Sequence, residues 1–534
     1  MRALTGVLAL GLAAASAAPL LAQCPDGSPP PCARAATGAR PPAPTSIAIL
    51  PFVNRSADTS DAFLAEALPE QIQGRLARVR ELQPKSQTAV TAQWRRTPDP
   101  MEAARVLRTA WFVTGTVRRS GRSLTVAAEL VRAASGDGAW SATFRRADDD
   151  IAAIEEQIAE SVAVAIVGRL APAQVSELRR TPTRDPEAYR LYLYATSRVR
   201  RRTEDDTRAA LAALAEAVRR DPGFAAAWGR TGLARVQQAS YGFELGRSRD
   251  SLYALGDTAV ARALRLDPDN VDALLASGYR DTRRGEYDRA YATLQRARSL
   301  DSLNSEAAHY LGVLHGPLIG VSLPQPAAAW FRRALALDPG DRNAWRNLGV
   351  IALGDGQLAV AERLLDTALA FGPWAPALYY RAEARFALGN GVGAMADIAD
   401  ATRLDSAMYA TWLAAMRFED PRAIYAVVLG DSAPARAALA RLRADPTPAA
   451  LADIARYAAA LGLGADALDA LERLRAAADP DEPRCAPAVA CSASLRTWRL
   501  LHEPAFLPLR RDPRFAQLWD ATRPRAPWLE GQAP

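Results

Sequence analysis

The residues able to do chemistry are few and scattered along the chain. His309, His315 and His502 are its only histidines, too few and too far apart for a metal cluster. Lys85 is its only lysine, and it lacks the G-x-x-x-x-G-K-[ST] context of a phosphate-binding loop. Neither H-E-x-x-H nor G-x-S-x-G occurs. Two stretches, GNGVGA (Gly389 to Ala394) and GLGADA (Gly462 to Ala467), echo a dinucleotide-binding loop. Neither follows a strand and both fall between helical segments, so they read as interhelix turns. No catalytic residue, cofactor or metal is assigned, and no enzyme is expected.

The four cysteines form two close pairs, Cys24 with Cys32 and Cys485 with Cys491. CPDGSPPPC has no second CxxC or histidine pair beside it, so a zinc site is not expected there. Four cysteines allow three connectivities, and proximity favours the two local bridges, each worth roughly 2–3 kcal/mol. Disulfides imply an oxidising compartment, and the N-terminus agrees with one. Arg2 precedes an apolar stretch from Ala3 to Ala18, the layout of a secretory signal peptide, with cleavage best placed after Ala22. Leu21-Ala22-Gln23-Cys24 nearly forms a lipobox, but Gln23 stands where a small residue belongs, so no lipid anchor at Cys24 is expected. The reading is a signal peptide (1–22) followed by a proline-rich linker (23–44), on a protein that is periplasmic or secreted and free of a membrane-spanning helix after cleavage. Association with the outer membrane stays open.

The bulk numbers bound the rest. The chain has 534 residues, enough for two to four domains, with 49% hydrophobic and 23% charged residues. Its net charge of +7 comes almost wholly from arginines interleaved with acids along helical stretches. That pattern is a solvated helix face rather than a nucleic-acid surface, and no nucleic acid partner is expected.

The elements begin at TSIAILPFVNRS (45 to 56). The apolar run from Ile47 to Phe52 has no alternation, which predicts a strand buried on both faces and stopped by Pro51. Apolar positions from Phe63 to Val79 recur at helical spacing around Pro69. SQTAV (86–90) is a candidate second strand, and DPMEAARVLRTA (99–110) a helix with proline in its first turn. Trp111 to Arg146 alternates through two hairpins, turned at Ser120-Gly121 and at Gly136-Asp137-Gly138. A helix over 149–170 closes an α+β layer.

These residues carry a resemblance. The strand ending in Pro51-Phe52, the strand Val113 to Val117 and the Gly138-Ala139-Trp140 turn resemble the TolB-like N-terminal domain, related to the FlgO domain, over residues 45–170. In similar proteins this module often stands between an output domain (a kinase, a cyclase or a winged-helix DNA binder) and C-terminal tetratricopeptide repeats. The resemblance supplies no catalytic residues.

From Asp185 a punctuation recurs. VRRDP, LRLDP, RSLDS, LALDP, LAFGP and TRLDS end at 222, 268, 302, 339, 373 and 406. The last four intervals are 34, 37, 34 and 33 residues, and a period of 34 in helix–turn–helix units is the tetratricopeptide signature. Small residues such as Gly278, Gly312 and Gly349, facing large ones such as Phe331 and Leu365, complete it. Weaker pairs continue beyond 421, so an all-α superhelix (an α-solenoid) is expected over 185–480. A capping segment and tail follow over 481–534, with a helix and a docked strap.

The resemblance to tetratricopeptide proteins implies that first-helix positions line a binding groove. Leu275, Tyr279, Arg283, His309, Arg346, Tyr379 and Phe386 are the candidates here, expected to be partly exposed, because aromatic and arginine side chains carry most binding energy at interfaces. The basic and asparagine set that clamps a terminal carboxylate in some such proteins is not reproduced, since Val350 occupies one of its places. The expected function is a non-enzymatic adaptor of the bacterial cell envelope that binds a protein or peptide in this groove. The alternative is an envelope sensor or regulatory subunit whose TolB-like domain binds a small ligand or signalling partner.

Overall fold

The computed structural model describes residues 42–522 apart from 58–61, 122, 148–149, 200–202, 242–247, 318–320, 322, 405–420, 445–447, 478–496 and 498–499. The signal peptide, most of the proline-rich linker and all four cysteines lie outside the described residues.

The N-terminal part is built on a six-stranded mixed sheet. Strand β1 (Ser46–Ile49) pairs in parallel with β3 (Gln83–Pro84) and β4 (Trp111–Ser120). The short β2 (Val53–Asn54) pairs with the far end of β4. Strands β4, β5 (Ser123–Arg132) and β6 (Gly138–Ala147) form the antiparallel meander that the alternation predicts. Parallel pairing of β1 with β4 needs a crossover, which α1 (Ala62–Leu76), β3, α2 (Gln87–Arg96) and α3 (Pro100–Leu107) provide.

The unbroken apolar run of β1 now has its reason. Ile47 and Ile49 face a core with Leu64, Leu68 and Ile72 of α1 and Ile154, Ile158 and Val162 of α4 (Ile151–Val167). Ala48 and Leu50 face the other way, onto Val90 of α2 and Ala103 and Ala104 of α3. Both faces are covered, so every side chain of the strand can be apolar. Pro51 has no N–H to give, and the strand breaks there.

One expected strand is not one. Residues 87–90 open helix α2, because the Ser86 hydroxyl accepts from the Ala89 amide and caps the helix start. The Ser86 hydroxyl also donates to the Leu337 carbonyl, tying this part of the chain to the repeats 251 residues later.

After α5 (Pro172–Leu178) the helices come in antiparallel pairs. These are α6 (Pro186–Val199) with α7 (Glu204–Arg220), α8 (Ala225–Tyr241) with α9 (Arg249–Leu266), and α10 (Val271–Arg283) with α11 (Tyr287–Leu300). Then follow α12 (Ser305–His315) with α13 (Pro324–Leu337), α14 (Arg342–Gly354) with α15 (Leu358–Leu369), and α16 (Ala375–Ala387) with α17 (Gly391–Leu404). Two further pairs, α18 (Pro421–Val428) with α19 (Ala433–Ala444) and α20 (Pro448–Ala460) with α21 (Gly464–Ala476), end the array.

The recurring Leu-Asp-Pro punctuation is a capping device. Asp267, Asp301 and Asp338 each end a second helix, and each carboxylate accepts from an amide two residues on. Three residues after each, Asn270, Asn304 and Asp341 cap the next first helix through the amides of Ala273, Ala307 and Ala344. Each such N-cap is worth about 1 kcal/mol. Small residues set the spacing within pairs. A Cβ added to Gly278, Gly312 or Gly349 would stand 2.6 or 2.7 Å from Leu294, Phe331 or Leu365. Period, caps and close approach together make this a tetratricopeptide-like α-solenoid.

The sheet and the array share a core. The cluster around Ile47 and Ile49 runs on through Tyr189 and Leu193 of α6 and Leu214 of α7 to Phe224 and Ala234. At the junction the Tyr189 hydroxyl donates to the Glu155 carboxylate at 2.6 Å, and Arg75 stands 3.5 Å from the same group. Burial pushes the Glu155 carboxyl up to about 7, against the pull of Arg75 and Tyr189.

Candidate functional site

The first helices of the pairs carry most of the buried charge of the array. In the N-terminal pairs these charges meet one another. Arg230 of α8 lies 3.0 Å from Asp272 of α10 and 3.9 Å from Glu306 of α12. The Gln237 side-chain amide donates to the Tyr310 hydroxyl at 2.8 Å and to Glu306 at 3.3 Å. Tyr310 stacks on Tyr279 with ring centres 4.5 Å apart. One helix further on, His309 Nδ1 stands 2.7 Å from the Asp341 carboxylate that caps α14. Each of these groups faces a partner on another first helix or its cap, although Arg230 Nε and His309 Nδ1 lie within ion-pair distance without completing a hydrogen bond.

In the C-terminal pairs the partner comes from the tail of the chain. Residues 500–511, including a 3₁₀ helix over Pro504–Arg511, lie across the first helices α14, α16 and α20. Arg456 of α20 donates from Nε and Nη2 to the two Glu503 oxygens, at 2.7 Å each, and from Nη1 to Asp453 at 2.8 Å. Arg510 donates to the Gly354 carbonyl at the end of α14. Phe506 is fully buried in one cluster with Tyr379 and Tyr457. Helix α22 (Pro513–Thr522) pins the far end through Arg514, which donates to both Glu472 oxygens of α21 at 2.9 and 2.8 Å.

Three glycines make room for this strap. A Cβ on Gly354 would stand 3.2 Å from the His502 carbonyl, and on Gly356 3.1 Å from Leu507. A Cβ on Gly464 would meet Leu509 at 2.9 Å. Beneath the strap, burial and the neighbouring Glu503 push the Glu383 carboxyl up to about 8, with the Tyr379 hydroxyl and Arg456 pulling it down.

The seven expected groove residues all sit on first helices, but most are not open. Leu275, Tyr279, His309 and Tyr379 are 0, 4, 3 and 1% exposed, against the expectation of partial exposure. The reason is packing across neighbours. Leu275 and Tyr279 are held in the core of the middle pairs, His309 faces Phe331 edge-on, and Tyr379 lies in the strap's cluster. Arg283, Arg346 and Phe386 are half-buried. Arg346 lies over the Trp374 ring at 5.3 Å, and Phe386 packs on Tyr425 of α18 at 5.1 Å. Cys24, Cys32, Cys485 and Cys491 fall outside the described residues.

Sequence reasoning missed Glu383, Arg456 and Glu503. The available signals were a lone arginine in the alanine-rich helix LADIARYAAA and a lone acid in the tail LLHEPAF. The histidines do not converge. His315 is buried, its Nδ1 2.7 Å from the Leu311 carbonyl, and burial pushes its pKa down to about 4. His502 packs on Trp519. Among the described residues no group of three His, Cys, Asp or Glu side chains is placed to hold a metal, and no helix is long and apolar enough to cross a membrane. The two dinucleotide-like stretches are helix turns, with Gly389 and Gly462 at φ of 82° and 75° closing α16 and α20.

No family model matches the chain. A putative adenylate cyclase 3 of Rhizobium meliloti (strain 1021) is 27% identical over 186 residues, which is 35% of this chain and 32% of that protein. The chain thus spans about a third of the length of the curated relative it matches. Among solved structures it is similar to PilF of Pseudomonas aeruginosa, at 18% identity over 43% of this chain and 97% of that one, with a TM-score of 0.31. PilW, a widely conserved type IV pilus biogenesis factor, gives 21% over 42% and 98%, with a TM-score of 0.31. YrrB, a TPR protein with an unusual peptide-binding site, gives 18% over 36% and 93%, with a TM-score of 0.24.

Proposed function

We propose that the protein is an exported, non-enzymatic adaptor of the bacterial cell envelope that holds a protein or peptide on the first-helix face of its solenoid. The observation that carries this reading is the strap, since a segment of the chain's own tail, mostly in a 3₁₀ turn, already lies on that face. It is held there by a two-point carboxylate–guanidinium bond and a buried phenylalanine. A surface that seats one polypeptide segment in this way has the chemistry to seat another. In the same reading the N-terminal part, with its sheet, is a TolB-like domain that docks to a second envelope component. Export rests on the Arg2 to Ala22 segment and the paired cysteines.

The sensor alternative needs convergent unpaired polar groups in a pocket of the N-terminal part. An open cleft of about 490 Å³ does lie between β6 and α4, beside Trp140. Its two long polar side chains are already engaged, Gln157 by Arg146 and Glu160 by Arg179. The adaptor reading is the better supported.

Two measurements test it. The mature chain recovered from the envelope fraction should begin at Gln23 without added lipid, with Cys24 joined to Cys32 and Cys485 to Cys491. Recovery from the cytosol with Met1 retained would contradict export. Cross-linking of the full chain to its co-purified partner should then give links to α10, α14 and α16, and links confined to residues 42–170 would move recognition to the sheet.

A further inference from the structure

The strap also says what kind of ligand the C-terminal first-helix face takes, provided that face is the polypeptide-binding surface just described. Its seat has three parts. Arg456 presents two parallel donors to one carboxylate, a geometry that a carboxylate meets better than any neutral acceptor. Beyond it, a closed apolar slot takes the ring of Phe506, three residues after Glu503. Pro504 stands between them and opens the 3₁₀ turn that brings acid and ring to one side. The array contributes the complementary shape, with glycine at 354, 356 and 464 where a side chain would press on the strap.

The seat is imperfectly filled. The Nε of Arg510 is buried with no hydrogen-bond partner, although its Nη2 reaches the Gly354 carbonyl. Glu383 and Glu503 are two carboxyl groups sharing the neighbourhood of one guanidinium, Arg456. A desolvated donor left unpaired on Arg510 destabilises the seated strap, which lowers the cost of lifting it relative to unfolding a helix pair. The Arg230 ladder has no such dependence on a remote segment.

We propose that residues 500–511 are an internal occupant of a peptide site, and that the external occupant is a partner segment with the same chemistry. That chemistry is a carboxylate bonded to Arg456, a proline after it, and an aromatic ring three residues on. The partner segment and the strap exclude each other, so partner binding frees the C-terminal tail.

The probe is a capped synthetic peptide of the strap's own sequence, LLHEPAFLPLRR, added to the full-length chain. Hydrogen exchange should show the amides of 500–511 exchanging faster with saturating peptide, while α14, α16 and α20 stay protected. A full-length Glu503→Ala/Phe506→Ala variant, with its strap loosened, should bind the labelled peptide at least tenfold more tightly than the wild type. Adding Arg456→Ala should abolish that gain, as should replacing the peptide's glutamate by glutamine. The proposal is overturned if saturating peptide leaves strap exchange in the wild type unchanged. It is equally overturned if the strap stays protected in the double variant, since the segment would then be a fixed cap. Failure of the peptide alongside partner cross-links to α10 or α14 sinks only this proposal, whereas absence of any cross-link to the array sinks the adaptor reading beneath it.

Discussion

The two halves of the solenoid handle the same problem differently. Each buries an arginine on its first-helix face, Arg230 in α8 and Arg456 in α20, and neither arginine could remain there unpaired. Arg230 is met by Asp272 and Glu306 from the next two first helices, so its partners arrive with the repeats themselves. Arg456 has Asp453 one turn away, but its bidentate partner, Glu503, comes from beyond the last pair. The first arrangement is closed as soon as the repeats stack. The second is completed by a removable part, and so can be completed by something else.

The largest effect should separate these cases. Arg230→Ala leaves the half-buried Asp272 and Glu306 without their shared cation and should cost about 3 kcal/mol, with loss of helical signal in the α8 to α12 region. Glu503→Ala should cost less, roughly 2 kcal/mol, since Arg456 keeps Asp453 and gains access to water. Its helical circular dichroism should stay intact while Trp519 fluorescence changes as His502 moves away from that ring. If both variants lose helix equally, the halves do not differ and the strap is an ordinary part of the core.

A pH series sharpens the same contrast. The Glu383 carboxyl is raised from 4.5 to about 8 in the folded chain, so between those values the folded state binds the extra proton. The stability this gives is complete below about pH 4.5 and is lost as the pH climbs through 8. For one proton the slope reaches at most about 1.4 kcal/mol per pH unit. Chemical denaturation from pH 5 to 8.5 should show the wild type weakening relative to Glu383→Gln, which cannot ionise. Glu155 is raised as well, but it is common to both chains and cancels in the comparison. Parallel pH profiles would remove the carboxyl conflict from the account.

How much of this the sequence shows depends on how far apart the interacting residues are. The helix pairs were readable because their punctuation is local, with Asp338 and Asp341 capping two consecutive helices within four residues. The meander was readable because alternation from Leu124 to Leu130 maps directly onto one face of β5. The strand expected at 86–90 failed on a single cap, Ser86, which turned a short β-prone run into helix α2. Exposure of Tyr279 and Tyr379 failed for another reason, since what covers them is far off in the chain. Tyr310 stacks on Tyr279, and the segment over Tyr379 begins about 120 residues later. No period or propensity in α16 announces a strap from the tail.

The smallest expected effect is at Arg346, half-buried over Trp374. Arg346→Ala should change stability by under about 1 kcal/mol, and it should weaken partner capture if the groove extends that far. Unchanged capture would confine recognition to the strap's seat.

The most direct test is native-state hydrogen exchange on the unmodified chain. The account predicts that the amides of residues 500–511 exchange through an opening that leaves α14, α16 and α20 protected, whereas those of α8, α10 and α12 exchange only on global unfolding. Strap amides that exchange together with the helices beneath them, in one cooperative step, would contradict it.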